Sequence, residues 1–232
     1  MTFPDNTKVQ RKKEAIYLGC TLIKGSKVGR EIQRRIGDCM ETLKKLDLFW
    51  LHSSCPVGFK ILVHNSIIRS KLLYSLNTTN ITAADRKKLD VFQLKGLRKI
   101  LHLKTTAVDK NNSNQKVYEL ARSALTNEGW KNIKLELFSE TYHRQRKVLL
   151  GRILKRKRED PVRKITINED SFLFRTIKKR RVGRPRHKWI DEIAGQVWTE
   201  QREKRIEAGL TGEYDDSKDE HVAFIRSVLE KT

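Results

Sequence analysis

The 232-residue chain carries 50 lysines and arginines against 28 acidic residues, a formal net charge of +22. A compact domain repels itself at such a charge unless a polyanion or salt offsets it, so nucleic acid is the first partner to consider. Apolar residues make up 38% of the chain and the mean hydropathy is -0.63. That suffices for a core in one or two domains, but no run approaches the ~18 residues of a membrane span.

In chain order, residues 1–13 are polar and basic, without the apolar stretch of a secretory signal. Ala15 to Leu22 then reads as two short strands meeting at Gly19, where β-branched and aromatic residues flank a glycine. After a turn at 24–27, Ile32, Ile36, Met40, Leu43 and Leu46 predict an amphipathic helix from about Val28 to Trp50. Arg30, Arg34 and Arg35 fall outside that stripe and are candidate nucleic-acid contacts. Pro56 opens a heavily apolar segment to about Leu76, the expected central buried helix, with Phe59, Ile61, Ile68, Leu72 and Tyr74 among its core residues. Thr82 and Asp85 resemble a capping box before a helix to about Leu101. That helix buries Leu89, Phe92 and Ile100 and presents Lys88, Lys95 and Lys99 on one strip.

The polar run Asp109 to Asn114 marks a boundary. A short helix at Gln115–Ala124 and a long one from about Asn132 to Arg158 follow, the latter ending in Lys155-Arg156-Lys157-Arg158. Residues 161–181 lack a clear period and are expected to be extended. His187 to Ala208 is helical again, and a short helix ends the chain. The expected fold is mainly α: a small N-terminal β-hairpin, a basic helical bundle and a loosely attached basic helical C-terminal region. The segments are 1–27, 28–108, 109–158, a basic linker at 159–188, and 189–232.

No catalytic constellation emerges. The six histidines are scattered without metal-ligand spacing, no phosphate-binding glycine loop is present, and no serine or cysteine has a nucleophile's context. Cys20, Cys39 and Cys55 contain no Cys-x-x-Cys pair, which favours reduced thiols in an intracellular protein. Tyr214-Asp215-Asp216 superficially matches a polymerase metal pair. It sits in an acidic polar turn with no apolar strand beside it, so no metal and no cofactor is expected.

The charge is concentrated instead. Residues 144–188 hold 18 basic residues and only 4 acidic ones, more than half of the excess. Within them Lys178, Lys179, Arg180 and Arg181 precede Gly183-Arg184-Pro185-Arg186. Arginines on such an extended tetrapeptide suit a narrow A·T-rich minor groove, and Arg184 and Arg186 resemble the core of an AT-hook, with Val182 in place of an arginine. The clusters at 155–158 and 178–181 also suit nuclear import.

The order of the motifs is more specific than any one of them. Glu14 to Cys20 comes first, then Glu31-Ile32-Gln33-Arg34-Arg35-Ile36, Lys71-Leu72-Leu73-Tyr74 and Leu89 to Leu101. Leu149 to Arg156 and Gly183 to Asp191 close the series. Over residues 14–195 this resembles the region downstream of the polymerase palm in LINE-type (non-LTR) retrotransposon reverse transcriptases. The resemblance implies that Tyr17, Leu18 and Gly19 are similar to a primer grip, and that Val28 to Leu101 is similar to a thumb. Such a thumb contacts an RNA–DNA or DNA duplex mostly through phosphate and sugar. The family's frequent Trp-x-Gly-His is here Leu149-Leu150-Gly151-Arg152. The metal-binding aspartates of that family belong to a palm preceding the matched stretch. The resemblance therefore implies a nucleic-acid-binding, non-catalytic fragment, with a separate palm-containing polypeptide as a further partner. The alternative is a nuclear DNA-binding protein acting through the AT-hook-like segment.

Overall fold

Glu14–Tyr17 (β1) and Cys20–Ile23 (β2) pair antiparallel, with Glu14 opposite Ile23 and Tyr17 opposite Cys20. Gly19 occupies the turn with φ +75°, a left-handed conformation that a side chain would strain. A computed structural model describes residues 14–17, 19–23 and 28–166, together with Trp189, Glu192, Ile193, Gly195, Gln196 and Thr199. Helices follow the hairpin, and the fold is mainly α. Among the described residues no helix is long and apolar enough to cross a membrane.

The chain divides into two compact units. One comprises the described residues up to Ser75 together with Ile81–Ser139; the other comprises Leu76–Asn80 and the described residues from Glu140 onward.

In the first unit α1 (Val28–Lys45) buries Glu31, Ile32, Arg35, Cys39 and Leu43. The buried face is therefore rotated from the expected one: Ile36 and Met40 are only half-buried. Burial pushes the Cys39 thiol up to about 11, so this cysteine is an inert core group. The expected single helix to Trp50 is broken at Leu46, and α2 (Asp47–His52) follows. There Trp50 turns inward and its Nε1 donates to the Leu43 carbonyl at 3.1 Å. The Lys60 ammonium, buried, donates to the carbonyls of Trp50 and Ser53 at 3.0 Å each, satisfying the orphan acceptors at the end of α2.

The apolar segment after Pro56 forms α3 (Val57–His64), a π-helical turn at Asn65–Arg69 and α4 (Ser70–Leu73). Ile61, Ile68, Leu72 and Leu73 are buried, but Phe59 and Tyr74, expected inside, are exposed, as is Ile67. The start of α3 is held from a distance. Glu128 accepts from the backbone N–H of Gly58 at 2.6 Å and of Phe59 at 3.0 Å, placing a carboxylate where unpaired amides and the helix dipole favour one.

α5 (Ala83–Ile100) starts at Thr82, whose hydroxyl accepts from the Asp85 N–H at 3.1 Å and donates to the Asp85 carboxylate. α6 (Asn114–Asn127), capped by Ser113, buries Val117, Ala121 and Leu125 against α3 and α5. The loop at 109–113 thus joins two helices of one unit. Gln93, fully buried on α5, links three segments: its Nε2 donates to the Glu136 carbonyl, and its Oε1 accepts from Tyr118 and from the Phe138 N–H.

The second unit is built on α7 (Phe138–Leu154), whose residues from Glu140 onward belong to it. α7 is shorter at both ends than its periodicity suggests. Its core includes Tyr142, Leu150, Ile153, Leu154 and Ile193. The expectation of extended chain from residue 161 is corrected at its start, where Pro161–Thr166 forms α8. Asp160 supplies the cause: its Oδ1 accepts from the N–H groups of Val162 at 2.8 Å and Arg163 at 3.2 Å, and Pro161 suits a first helical position.

Candidate nucleic-acid interface

Of the primer-grip-like residues, Gly19 is placed best. Its carbonyl accepts from Arg34 Nη2 at 3.0 Å, which holds the hairpin turn against α1. Leu18 lies outside the described residues, and for Tyr17 only the backbone is described, as the last residue of β1.

The three arginines of α1 separate by role. Arg30 is exposed on the first turn. Arg34 is part-exposed and bridges Glu31 and Asp38 at 2.8 and 2.9 Å besides holding Gly19. Those bonds raise its already high pKa, the Glu31 bond most of all. Arg35 is only 4% exposed, so the expectation that it contacts nucleic acid is corrected: its donors are consumed inside the protein. It pairs with Glu31 at 2.5 Å and donates to the carbonyls of Leu72 and Tyr74 and to the Cys20 sulfur. Arg35 thereby ties the hairpin, α1 and the end of α4 into one corner.

That corner contains an open groove of about 260 Å³, lined by Gly19, Arg34, Asp38, Ser70, Lys71 and Tyr74. Sequence reasoning missed Lys71 and Tyr74 as site residues. The ammonium of Lys71 donates to the Asp38 carbonyl at 3.0 Å and the Thr42 hydroxyl at 2.8 Å. The available signal was Lys71-Leu72-Leu73-Tyr74 itself, in which an apolar pair separates two residues of amphipathic character.

The strip on α5 is less uniform than its spacing suggests. Lys88 is exposed and bonded to Asp85 at 2.9 Å, Lys99 is half-buried against Asp47, and Lys95 is exposed. In the second unit Lys155, Arg156, Lys157 and Arg158 do not extend α7 but form the exposed turn between α7 and α8. Arg156 pairs with Asp160 at 3.1 Å, while Arg163 donates to the carbonyls of Leu154 and Arg156 at 2.9 and 2.6 Å, fixing the turn's backbone. Lys178, Lys179, Arg180, Arg181, Arg184 and Arg186 lie outside the described residues.

Comparison with protein-family models, with curated proteins and with solved structures found no match. The site must therefore be judged on its chemistry. Among the described residues no group of three or more histidines, cysteines or carboxylates could hold a metal ion. What the corner offers is a fixed glycine turn, a tyrosine whose main chain is clamped, and cations beside Asp38.

Proposed function

We propose that this chain is a nucleic-acid-binding polypeptide without catalysis of its own, similar to the primer-grip and thumb region of a LINE-type reverse transcriptase. The observation that carries this reading is the Gly19 turn held by Arg34 on the first helix of a basic helical unit. A turn fixed in that way presents its backbone to a strand lying across it, while exposed cations such as Arg30, Lys88 and Lys95 meet phosphates. The net charge of +22 supports a polyanionic partner, since it otherwise works against compactness. In this reading an RNA–DNA or DNA duplex is the ligand, a separate palm-containing polypeptide supplies any polymerase chemistry, and the nucleus is the place of action.

The test is duplex binding by the full chain at several salt concentrations. Affinity should fall with a slope of about -0.9 per phosphate neutralised. A surface covering about four phosphates then loses roughly 100-fold between about 50 and 200 mM salt. Tyr17→Ala should weaken binding to an RNA–DNA duplex. An affinity indifferent to salt overturns the reading. A preference for A·T-rich DNA that disappears in Arg184→Ala assigns the activity to the AT-hook-like segment instead.

A further inference from the structure

We infer that the groove beside the hairpin turn is a subsite for one unpaired nucleotide, with Tyr74 as the stacking platform and Lys71 as the phosphate contact. This rests on the nucleic-acid reading above and goes beyond it, because a thumb that grips a duplex backbone has no need of such a pocket.

Tyr74 carries the argument. It is 58% exposed, although it directly follows the buried Leu72 and Leu73. Its main chain is clamped: Arg35, itself held by Glu31, donates to the carbonyls of Leu72 and Tyr74. The next residue, Ser75, has φ +56°, a conformation few residues other than glycine adopt. Across the groove, a Cβ on residue 19 would come to 3.7 Å of the Tyr74 ring. The ring edge thus faces the glycine turn across the groove. An exposed aromatic ring on a fixed main chain is a ready stacking surface for a base.

The charges of the groove point to a single phosphate. Arg34 and Arg35 are balanced by Glu31 and Asp38 in direct ion pairs. Lys71 is different: its ammonium is oriented by two neutral oxygens, the Asp38 carbonyl and the Thr42 hydroxyl. It makes no direct ion pair among the described residues, and one donor is left for a ligand. The volume of about 260 Å³ lies just below the usual range of ligand pockets, roughly 300–1,000 Å³, and suits one base rather than a base pair. Asp38 and Ser70 on the walls can meet sugar and base-edge groups.

The experiment compares a blunt RNA–DNA duplex with the same duplex bearing a short single-stranded overhang, by fluorescence anisotropy with the full chain. The overhang should bind about 5- to 100-fold tighter, the range expected for one base stacked on an aromatic ring. Tyr74→Ala should erase that difference and Tyr74→Phe retain it. Lys71→Gln, a second variant at an exposed position, should lower the salt slope for the overhang duplex by about one. Equal affinity for the two duplexes in the unsubstituted chain overturns the subsite and leaves the duplex-binding reading standing, as does an overhang preference that survives Tyr74→Ala. Failure to bind either duplex overturns both.

Discussion

Gln93 and His64 show how much of the first unit rests on single buried polar side chains. Gln93 accepts from the N–H of Phe138 at 3.0 Å and donates to the Glu136 carbonyl at 2.8 Å. Gln93→Leu keeps the volume but leaves those backbone groups seeking other partners. A loss of about 1–3 kcal/mol in urea unfolding is expected. His64 is fully buried, stacked on Phe138, and its Nε2 lies where a side chain on Gly96 would have to go. Burial pushes its imidazole down to about 4; the nearby Arg69 adds to this and the Asn65 side chain partly opposes it. A group whose pKa is depressed on folding stabilises the protein above its unfolded pKa, near 6.5, and that contribution is lost as pH falls toward 4. The slope approaches about 1.4 kcal/mol per pH unit within the window. Subtracting the profile of His64→Leu from that of the unsubstituted protein should reveal this slope between pH 6.5 and 4, and none above.

Two junctions decide how the helical elements of the first unit fit. The first is the Glu128 cap on α3. A Cβ on Gly58 would lie 2.5 Å from the Glu128 carboxylate and 3.1 Å from the Ala124 carbonyl. Gly58→Ala gains helix propensity but displaces the cap, and a net loss of about 1–2 kcal/mol is expected from thermal unfolding. The second is Arg35. Arg35→Met leaves Glu31 buried without its closest cation and frees the carbonyls that held Tyr74, costing about 3 kcal/mol or more. Adding Glu31→Gln should recover part of that loss, because a neutral amide tolerates burial where a carboxylate does not. A double substitution no more stable than Arg35→Met alone would show that the pair is not the cause.

At the scale of the whole chain, the two units have separate polar centres. In the second unit Arg146, fully buried, stacks over Tyr142 and Trp189 with its carbon 5.2 and 6.0 Å from the ring centres. It pairs with Glu192 at 3.3 Å and donates to the Asn80 side chain. Tyr142 and Trp189 donate to the carbonyls of Thr79 and Asn77 at 2.7 and 2.6 Å. Residues 77–80 are thereby held by three side chains of their own unit. Arg146→Met should accelerate amide hydrogen exchange in residues 77–80 and 140–166 while sparing α6, and Gln93→Leu should do the reverse. Uniform acceleration by either substitution would show one cooperative unit instead.

The sequence by itself determined the helical class, the hairpin with its glycine, the Thr82 cap and most of α1, α5 and α6. These rest on period, local propensity and hydrogen bonds within a few residues, all of which act along the chain. Only the tertiary structure decided which polar residues go inside. Arg35 reads as one of three surface arginines, yet it is interior because Glu31 one turn earlier and the carbonyls of Leu72 and Tyr74 meet it there. Tyr74 reads as core and is exposed, because Arg35 fixes its main chain at the end of α4, where its side chain lines an open groove. α8 was hidden because Asp160 and Pro161 outweigh six residues without a clear apolar period. Burial of a charge depends on partners that are distant in sequence, and no local pattern records them.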